Sequence, residues 1–118
     1  MTPVTFKSGN IVDEAADGLV CTGNVQLNMS GGVNGELLRR GGAAMQAELH
    51  GWLKARNRRF VEPGFVMRMG PAPFAFKSIV YTVAVDAFYA SSVALASRSL
   101  INALALLAED GCATVAVP

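Results

Sequence analysis

The feature that most constrains the fold is a short apolar run at residues 18–22 (Gly-Leu-Val-Cys-Thr), which leads into a glycine-rich segment at residues 30–35 (Ser-Gly-Gly-Val-Asn-Gly). A short apolar run between turn-forming residues is typical of a strand that is buried on both faces. Glycines let bare backbone approach an anion, and a helix that begins there offers unpaired N–H groups. Asn24 and Asn34 bracket this segment with amide groups suited to the hydroxyls of a sugar. The sequence therefore predicts a phosphate-binding loop at the carboxyl end of a central strand.

Size and composition indicate one globular domain over residues 1–118 with a single core. Hydrophobic residues make up 52% and charged residues 16%, which excludes a disordered chain. The formal net charge of +1 argues against a dedicated nucleic-acid-binding protein, so we do not expect a nucleic-acid partner. Four of the ten basic residues form a cluster, interpreted as the solvated end of a helix: Lys54, Arg56, Arg58 and Arg59.

The two cysteines, Cys21 and Cys112, lie in or beside apolar runs without the spacing of a metal site or a disulfide framework. We therefore expect free, buried thiols in a reducing cytosol and no bound metal or cofactor. Residues 1–7 lack the pattern of a signal peptide, and the apolar stretch at residues 100–108 is too short to span a bilayer. The expectation is a cytoplasmic protein with no membrane partner.

The remaining patterns predict strands and helices in alternation. Predicted strands lie at residues 4–7, 11–12, 18–22, 60–69, 78–85 and 113–117, and predicted helices at 36–40, 43–56 and from about 93 to 110. Ser91 or Ser92 can cap the last helix at its N-terminus, and Gly111 follows its end. Such alternation indicates an α/β layered sheet, in which ligands bind outside the carboxyl ends of the strands.

Three segments in this order resemble the macro domain, the ADP-ribose-binding module: residues 9–12 (G-N-I-V), 16–24 (A-D-G-L-V-C-T-G-N) and 31–35 (G-G-V-N-G). The usual runs of the family are close to G-D-I, V-D-A-I-V-N-A-A-N and G-G-G-V-D-G-A-I. The strand at 78–85, the long helix and a strand that ends in proline fit as well. The resemblance implies a three-layer α/β/α domain with a mixed sheet and with ADP-ribose in a cleft across the strand ends.

Carried over position by position, the resemblance implies that Asn10 and Ile11 face the adenine and that Asn24 lies at the distal ribose. The glycine segment would line the pyrophosphate and the distal ribose. The residues expected to bind the ligand are Asn10, Ile11, Thr22, Asn24, Gly31, Gly32, Val33, Asn34 and Gly35. The expected partner is ADP-ribose or an ADP-ribosylated protein.

Several departures from the family pattern bear on the activity. Asn10 replaces the acidic residue that reads adenine, and Cys21 stands where the family often has asparagine. Asn34 replaces the aspartate of hydrolytic members, and Leu38 replaces a histidine. An amide cannot act as a general base at neutral pH. No catalytic residue is therefore assigned, and the pattern favours a binding module with little hydrolase activity.

Two alternatives stay open at this point. One is a hydrolase of ADP-ribosyl or O-acetyl-ADP-ribose groups that uses a water held by Asn24 and the phosphate of the ligand. The other is a structural or oligomeric α/β domain whose cleft has decayed. The family pattern favours this structural alternative, because macro domains continue beyond the position of Pro118 into a second glycine loop, a strand and a helix. The expectation is a C-terminally incomplete sheet, from a partial chain or with its open edge covered in a homo-oligomer.

Overall fold

Among the described residues the sheet has four strands, with the apolar run of the sequence in its interior. A computed structural model describes residues 4–6, 9–29, 31–41, 43–71, 73–85 and 91–118. Its strands are β1 (Gly18–Gly23), β2 (Val66–Met69), β3 (Ser78–Val83) and β4 (Val115–Ala116). Their order is β2-β3-β1-β4. β1 runs parallel to β3 and β4, whereas β2 is antiparallel to β3, so the sheet is mixed.

Helices cover both faces of this sheet. They are α1 (Gly32–Arg39), α2 (Ala43–Ala55) and α3 (Val93–Glu109). Side chains of a strand alternate between the two faces. Leu19 and Cys21 accordingly share one core cluster with the buried residues of α1 and α2, while Val20 joins a second cluster with residues of α3. The predicted three-layer α/β/α fold is confirmed.

The ends of α3 follow the predicted capping pattern. The Ser92 hydroxyl accepts a hydrogen bond from the backbone N–H of Leu95 at 3.1 Å. Gly111, just beyond the last turn, has a φ of +78°, a conformation that favours glycine. Within the described residues, no helix has the length and the apolar character needed to cross a bilayer.

The predicted strands near the N-terminus are wrong. Residues 4–6 have no regular secondary structure, with Val4 and Phe6 exposed, and residue 7 lies outside the described part of the chain. Residues Ile11–Asp13 form a 3-10 turn. The turn forms because the Asn10 side chain accepts a hydrogen bond from the N–H of Val12, which competes with extended backbone.

The predicted glycine loop is in large part the first turn of a helix. α1 begins at Gly32, not at Glu36, so Val33, Asn34 and Gly35 are helical. Ser30, the first residue of the predicted loop, lies outside the described residues.

Three other predicted strands are shorter than expected. The strand at residues 78–85 ends at Val83. The strand at residues 60–69 is confined to Val66–Met69. The last strand is confined to Val115–Ala116. The N–H groups of Ala113 and Thr114 donate instead to the carboxylate of Asp17, at 2.8 and 3.3 Å. A side-chain acceptor thus takes the place of a neighbouring strand at these two residues.

We expect Gly23→Ala to lower the free energy of unfolding by about 1–3 kcal/mol or more, because overpacking strains a filled core. A Cβ at Gly23 would lie 2.0 Å from the hydroxyl oxygen of Tyr81. Gly51→Ala is the control, since a Cβ at that position in α2 meets nothing within 4 Å. It should stabilise the protein by about 0.5–1 kcal/mol. Urea unfolding followed by circular dichroism measures both; equal effects would contradict the close contact.

Candidate ligand-binding cleft

A hydrogen bond joins the carboxyl end of β1 to the beginning of α1. The Asn34 side chain donates through Nδ2 to the carbonyl oxygen of Thr22 at 2.8 Å. Asn34 is only 2% exposed, and its Oδ1 has no hydrogen-bond partner among the described residues. A buried polar atom left without a partner costs about 1–3 kcal/mol. This oxygen is therefore an unpaired acceptor inside the fold at the end of β1, and the chain must open slightly there before a ligand hydroxyl can reach it.

The turn before α1 leaves its backbone open to solvent. Gly31 and Gly32 have φ values of +68° and +52°, in the left-handed region that favours glycine. A Cβ on either residue would meet nothing within 4 Å, so backbone conformation rather than space requires glycine. No side chain caps α1, and the first N–H groups of a helix have no acceptor within it. This exposed, positive end of the helix dipole is suited to an anion.

Asn24 fixes the loop that follows β1. It is 8% exposed, and its Oδ1 accepts a hydrogen bond from the N–H of Asn28 at 3.1 Å. Its Nδ2 donates to the Asn28 carbonyl oxygen at 3.4 Å. The backbone N–H of Asn24 donates to the Tyr81 hydroxyl at 3.1 Å. The oxygen and the NH2 group of the Asn24 side chain therefore both hydrogen-bond to the loop backbone.

Two residues of α2 hold the same loop from the other side. The Gln46 side chain accepts from the N–H of Met29 at 2.7 Å and donates to the carbonyl oxygen of Leu27 at 2.9 Å. Nε2 of His50 lies 2.8 Å from Oδ1 of Asn28. Leu27 is fully buried and has a φ of +58°, which is uncommon outside glycine. These contacts maintain a strained loop next to the end of β1 and the beginning of α1.

No pattern in the sequence had assigned a role to Gln46, His50 or Tyr81. The spacing of Gln46 and His50, one helical turn apart on α2, places both side chains on one face of the helix. That spacing is the signal that could have paired them. Nothing in the local sequence shows that Tyr81 reaches the residue after β1.

Asn10 lies at the other edge, beside α1. Its Oδ1 accepts from Val12, and its Nδ2 donates to Oε1 of Glu36 at 3.0 Å. The guanidinium groups of Arg39 and then Arg40 lower the pKa of Glu36 from about 4.5 to about 2. Asn10 therefore makes hydrogen bonds on both sides of its amide, one of them to a firmly charged carboxylate.

The other predicted ligand-binding residues divide by exposure. Thr22 is exposed near the end of β1, and Gly35 is half-buried, its N–H donating to the Gly31 carbonyl oxygen at 2.8 Å. Ile11 and Val33 are half-buried and pack against the core. The structure thus brings Thr22, Asn24 and Asn34 to one end of β1.

Cys21 contributes to the core. Its side chain is fully buried, and burial raises the pKa of the thiol to about 12, so it does not ionise near neutral pH. In the part of the chain that the structure describes, no group of three or more His, Cys, Asp or Glu side chains could hold a metal ion.

Comparison with known proteins places these features in a family. The model of the macro domain family matches residues 20–118. A macro domain-containing protein of Streptomyces nogalater is 30% identical over the whole of this chain, which spans 66% of that protein. Among solved structures, the macrodomain of Mycobacterium tuberculosis DarG has a TM-score of 0.72 and 27% identity, over 97% of this chain and 74% of that one.

A third comparison shows the fold alone. A single-site mutant of the Oceanobacillus iheyensis macrodomain, solved with ADPR, has a TM-score of 0.78 and 19% identity, over 93% of this chain and 61% of that one. The match of the family model to most of the residues decides the assignment. The chain belongs to the macro domain family.

We expect acid to release Asn10 from Glu36. Because the folded-state pKa of Glu36 is lowered, its charged hydrogen bonds are complete above its ordinary pKa of about 4.5 and break as the pH falls toward about 2. The side-chain NH2 resonances of Asn10, followed by NMR, should shift over this window. Asn102, whose Nδ2 donates to the backbone carbonyl of Gly64, is the control and should not follow the same curve. A transition of Asn10 centred at or above pH 4.5 would contradict the lowered pKa.

Gln46→Ala should loosen the loop after β1 without unfolding the sheet. The substitution removes the acceptor of the Met29 N–H and the donor to Leu27, so exchange of the Met29 amide hydrogen should speed up by about tenfold or more, as a loss of about 1.4 kcal/mol would produce. The amide of Val20 in β1 is the internal control and should exchange at an unchanged rate. Equal acceleration at both amides would indicate global destabilisation instead.

Proposed function

We propose that this protein binds ADP-ribose, free or attached to a protein, at the end of β1 and the start of α1. The macro domain family to which the chain belongs is known to bind ADP-ribose. The observation that carries the proposal is the buried Oδ1 of Asn34, which lacks a hydrogen-bond donor among the described residues. It lies in the first turn of α1, next to the glycines that leave the helix end open.

The two halves of this cleft suit the two kinds of group in the ligand. The open N-terminus of α1 at Gly31 and Gly32 offers N–H groups and a favourable dipole to the pyrophosphate. The Asn34 amide oxygen offers an acceptor to a ribose hydroxyl, which would relieve the cost of leaving that oxygen unpaired. Asn10 hydrogen-bonds to Val12 and Glu36, and its amide keeps a second N–H and a second lone pair that can meet adenine.

The side chains near the end of β1 favour ligand binding over hydrolysis. Asn34 carries an amide, which cannot accept a proton from water at neutral pH. Asn24, the residue that could hold a water, is held in place by two hydrogen bonds between its side chain and the Asn28 backbone. Burial keeps Cys21 in its thiol form. We therefore propose a binding module with little hydrolase activity.

Gly32→Ala should weaken ADP-ribose binding by about tenfold or more, because a side chain in the left-handed region costs about 1–2 kcal/mol and shifts the N–H groups of the turn. Gly70→Ala is the matched control: its Cβ also meets nothing within 4 Å, and Gly70 is not among the glycines with positive φ. Isothermal titration with ADP-ribose, with AMP as comparison ligand, measures the effect. A folded wild-type protein that gives no heat at millimolar ADP-ribose would overturn the proposal and favour a domain with a decayed cleft.

Asn34→Asp should introduce slow hydrolysis into a wild-type protein that has little. The carboxylate would supply the general base that the amide cannot provide, an effect typically worth about 10²–10⁴-fold. Release of ADP-ribose from an ADP-ribosylated protein measures the activity, and thermal unfolding checks that the variant is folded. Wild-type turnover that disappears in Asn24→Ala would instead support the hydrolase alternative.

A further inference from the structure

A groove of about 540 Å³ lies on the outer side of the loop that follows β1. The loop contributes Gln26 and Asn28 to its lining, and α2 with the segment after it contributes His50, Lys54, Arg58 and Arg59. The side chains in this lining that carry a full charge, Lys54, Arg58 and Arg59, are all cationic. The whole chain has a net charge of only +1, so the groove concentrates charge that the composition conceals.

The end of α2 determines where these cations lie. Asn57 has a φ of +53°, and the N–H of Arg58 donates to the carbonyl oxygen of Leu53 at 2.9 Å. This is the Schellman arrangement, with Asn57 as the left-handed residue that ends the helix. The chain then returns toward β1, where the N–H of Val61 donates to the Val25 carbonyl at 2.8 Å. The basic segment and the loop after β1 therefore form facing walls.

Complementing the dipole of α2 does not account for all of this charge. Arg56 serves the helix end: its guanidinium lies 4.1 Å from the centroid of the Trp52 ring and donates to the Trp52 carbonyl oxygen. Lys54 and Arg59, by contrast, form no ion pair with the described residues, and Arg58 has a distant contact of 3.7 Å with the exposed Glu62. Exposed pairs of this kind contribute little. The groove thus holds cationic groups whose charge is largely unneutralised.

We propose that this groove binds a single-stranded nucleic acid through its phosphate groups. Several separated cations along a groove match successive phosphates of one strand, and guanidinium groups bind phosphate oxygens in pairs. The neutral amides of Gln26 and Asn28 can donate to and accept from base edges. Phe60 directly follows Arg59, just outside the groove lining, and its 52% exposed side chain offers a ring on which a base can stack. An acidic peptide would also use the cations, so polyglutamate is the competitor that distinguishes it from a nucleic acid.

This site is separate from the cleft of the proposed function, although both border the same loop. Asn24 closes the loop from within the fold, whereas Gln26 and Asn28 are exposed on the groove side. Nucleic-acid binding therefore does not depend on ADP-ribose binding, and titration of each variant with ADP-ribose reports on the cleft separately.

The test is fluorescence anisotropy of a fluorescein-labelled strand of twelve thymidines, titrated with the full chain at several salt concentrations. Arg58→Gln/Arg59→Gln should weaken binding by about tenfold or more. It should also reduce the slope of log K against log salt by about 1.4, because each of the two phosphates left without its cation accounts for ~0.7 of that slope. Lys77→Gln/Arg98→Gln is the control, because it removes the same charge from residues that do not line the groove. It should change the affinity by less than about twofold, since distant exposed charges are screened.

Two further measurements make the proposal specific. Phe60→Ala should weaken binding of the thymidine strand, with an unchanged salt slope, because it removes stacking and no charge. Polyglutamate of matched charge should compete poorly. The proposal is overturned if both charge variants lose affinity equally, if polyglutamate competes as well as the unlabelled strand, or if the wild-type protein does not bind the strand at low salt.

Discussion

The contact between Tyr81 and the chain at Gly23 and Asn24 fixes the geometry on which both sites depend. β1 and β3 pair in parallel register along their whole length, which places Tyr81 opposite Cys21, within reach of the end of β1. The absence of a side chain at Gly23 makes room for the phenol, whose hydroxyl accepts from the N–H of Asn24 and donates to its carbonyl oxygen at 3.3 Å. The loop after β1 therefore leaves the sheet in one defined direction.

From that point, polar side chains replace regular secondary structure as the means of holding the backbone. Asn24 closes the loop on Asn28, and Gln46 bonds it to α2. Asn34 ties the start of α1 to the carbonyl of Thr22. Each of these amides satisfies backbone groups that the sheet cannot reach, which is why polar residues are tolerated there at low exposure. One loop consequently has a face toward the proposed ADP-ribose cleft and another toward the basic groove.

Charges are organised locally, and the small net charge reveals none of this organisation. Beside α1, Glu36 and Asp13 lie against Arg40, so opposite charges compensate one another. Behind the loop, Arg58 and Arg59 line a groove with no acidic residue in its lining. A small net charge is compatible with paired charges in one region of the protein and an excess of positive charge in another. A partner responds to the local field, so composition alone is a poor guide to anionic ligands.

By itself, the sequence determined the α/β class, the central strand, α3 with a serine cap at Ser91 or Ser92, and the macro domain family. Apolar runs, helical periodicity and capping residues act over short distances along the chain, so these features can be predicted locally. Tertiary structure decided that Ile11 lies in a turn, that α1 begins at Gly32, and that one polar atom of Asn34 is left unpaired. It also decided which residues line the groove. The last two of these outcomes depend on partners farther apart in sequence, such as Asn34 with Thr22 or Val25 with Val61, and only folding brings them together.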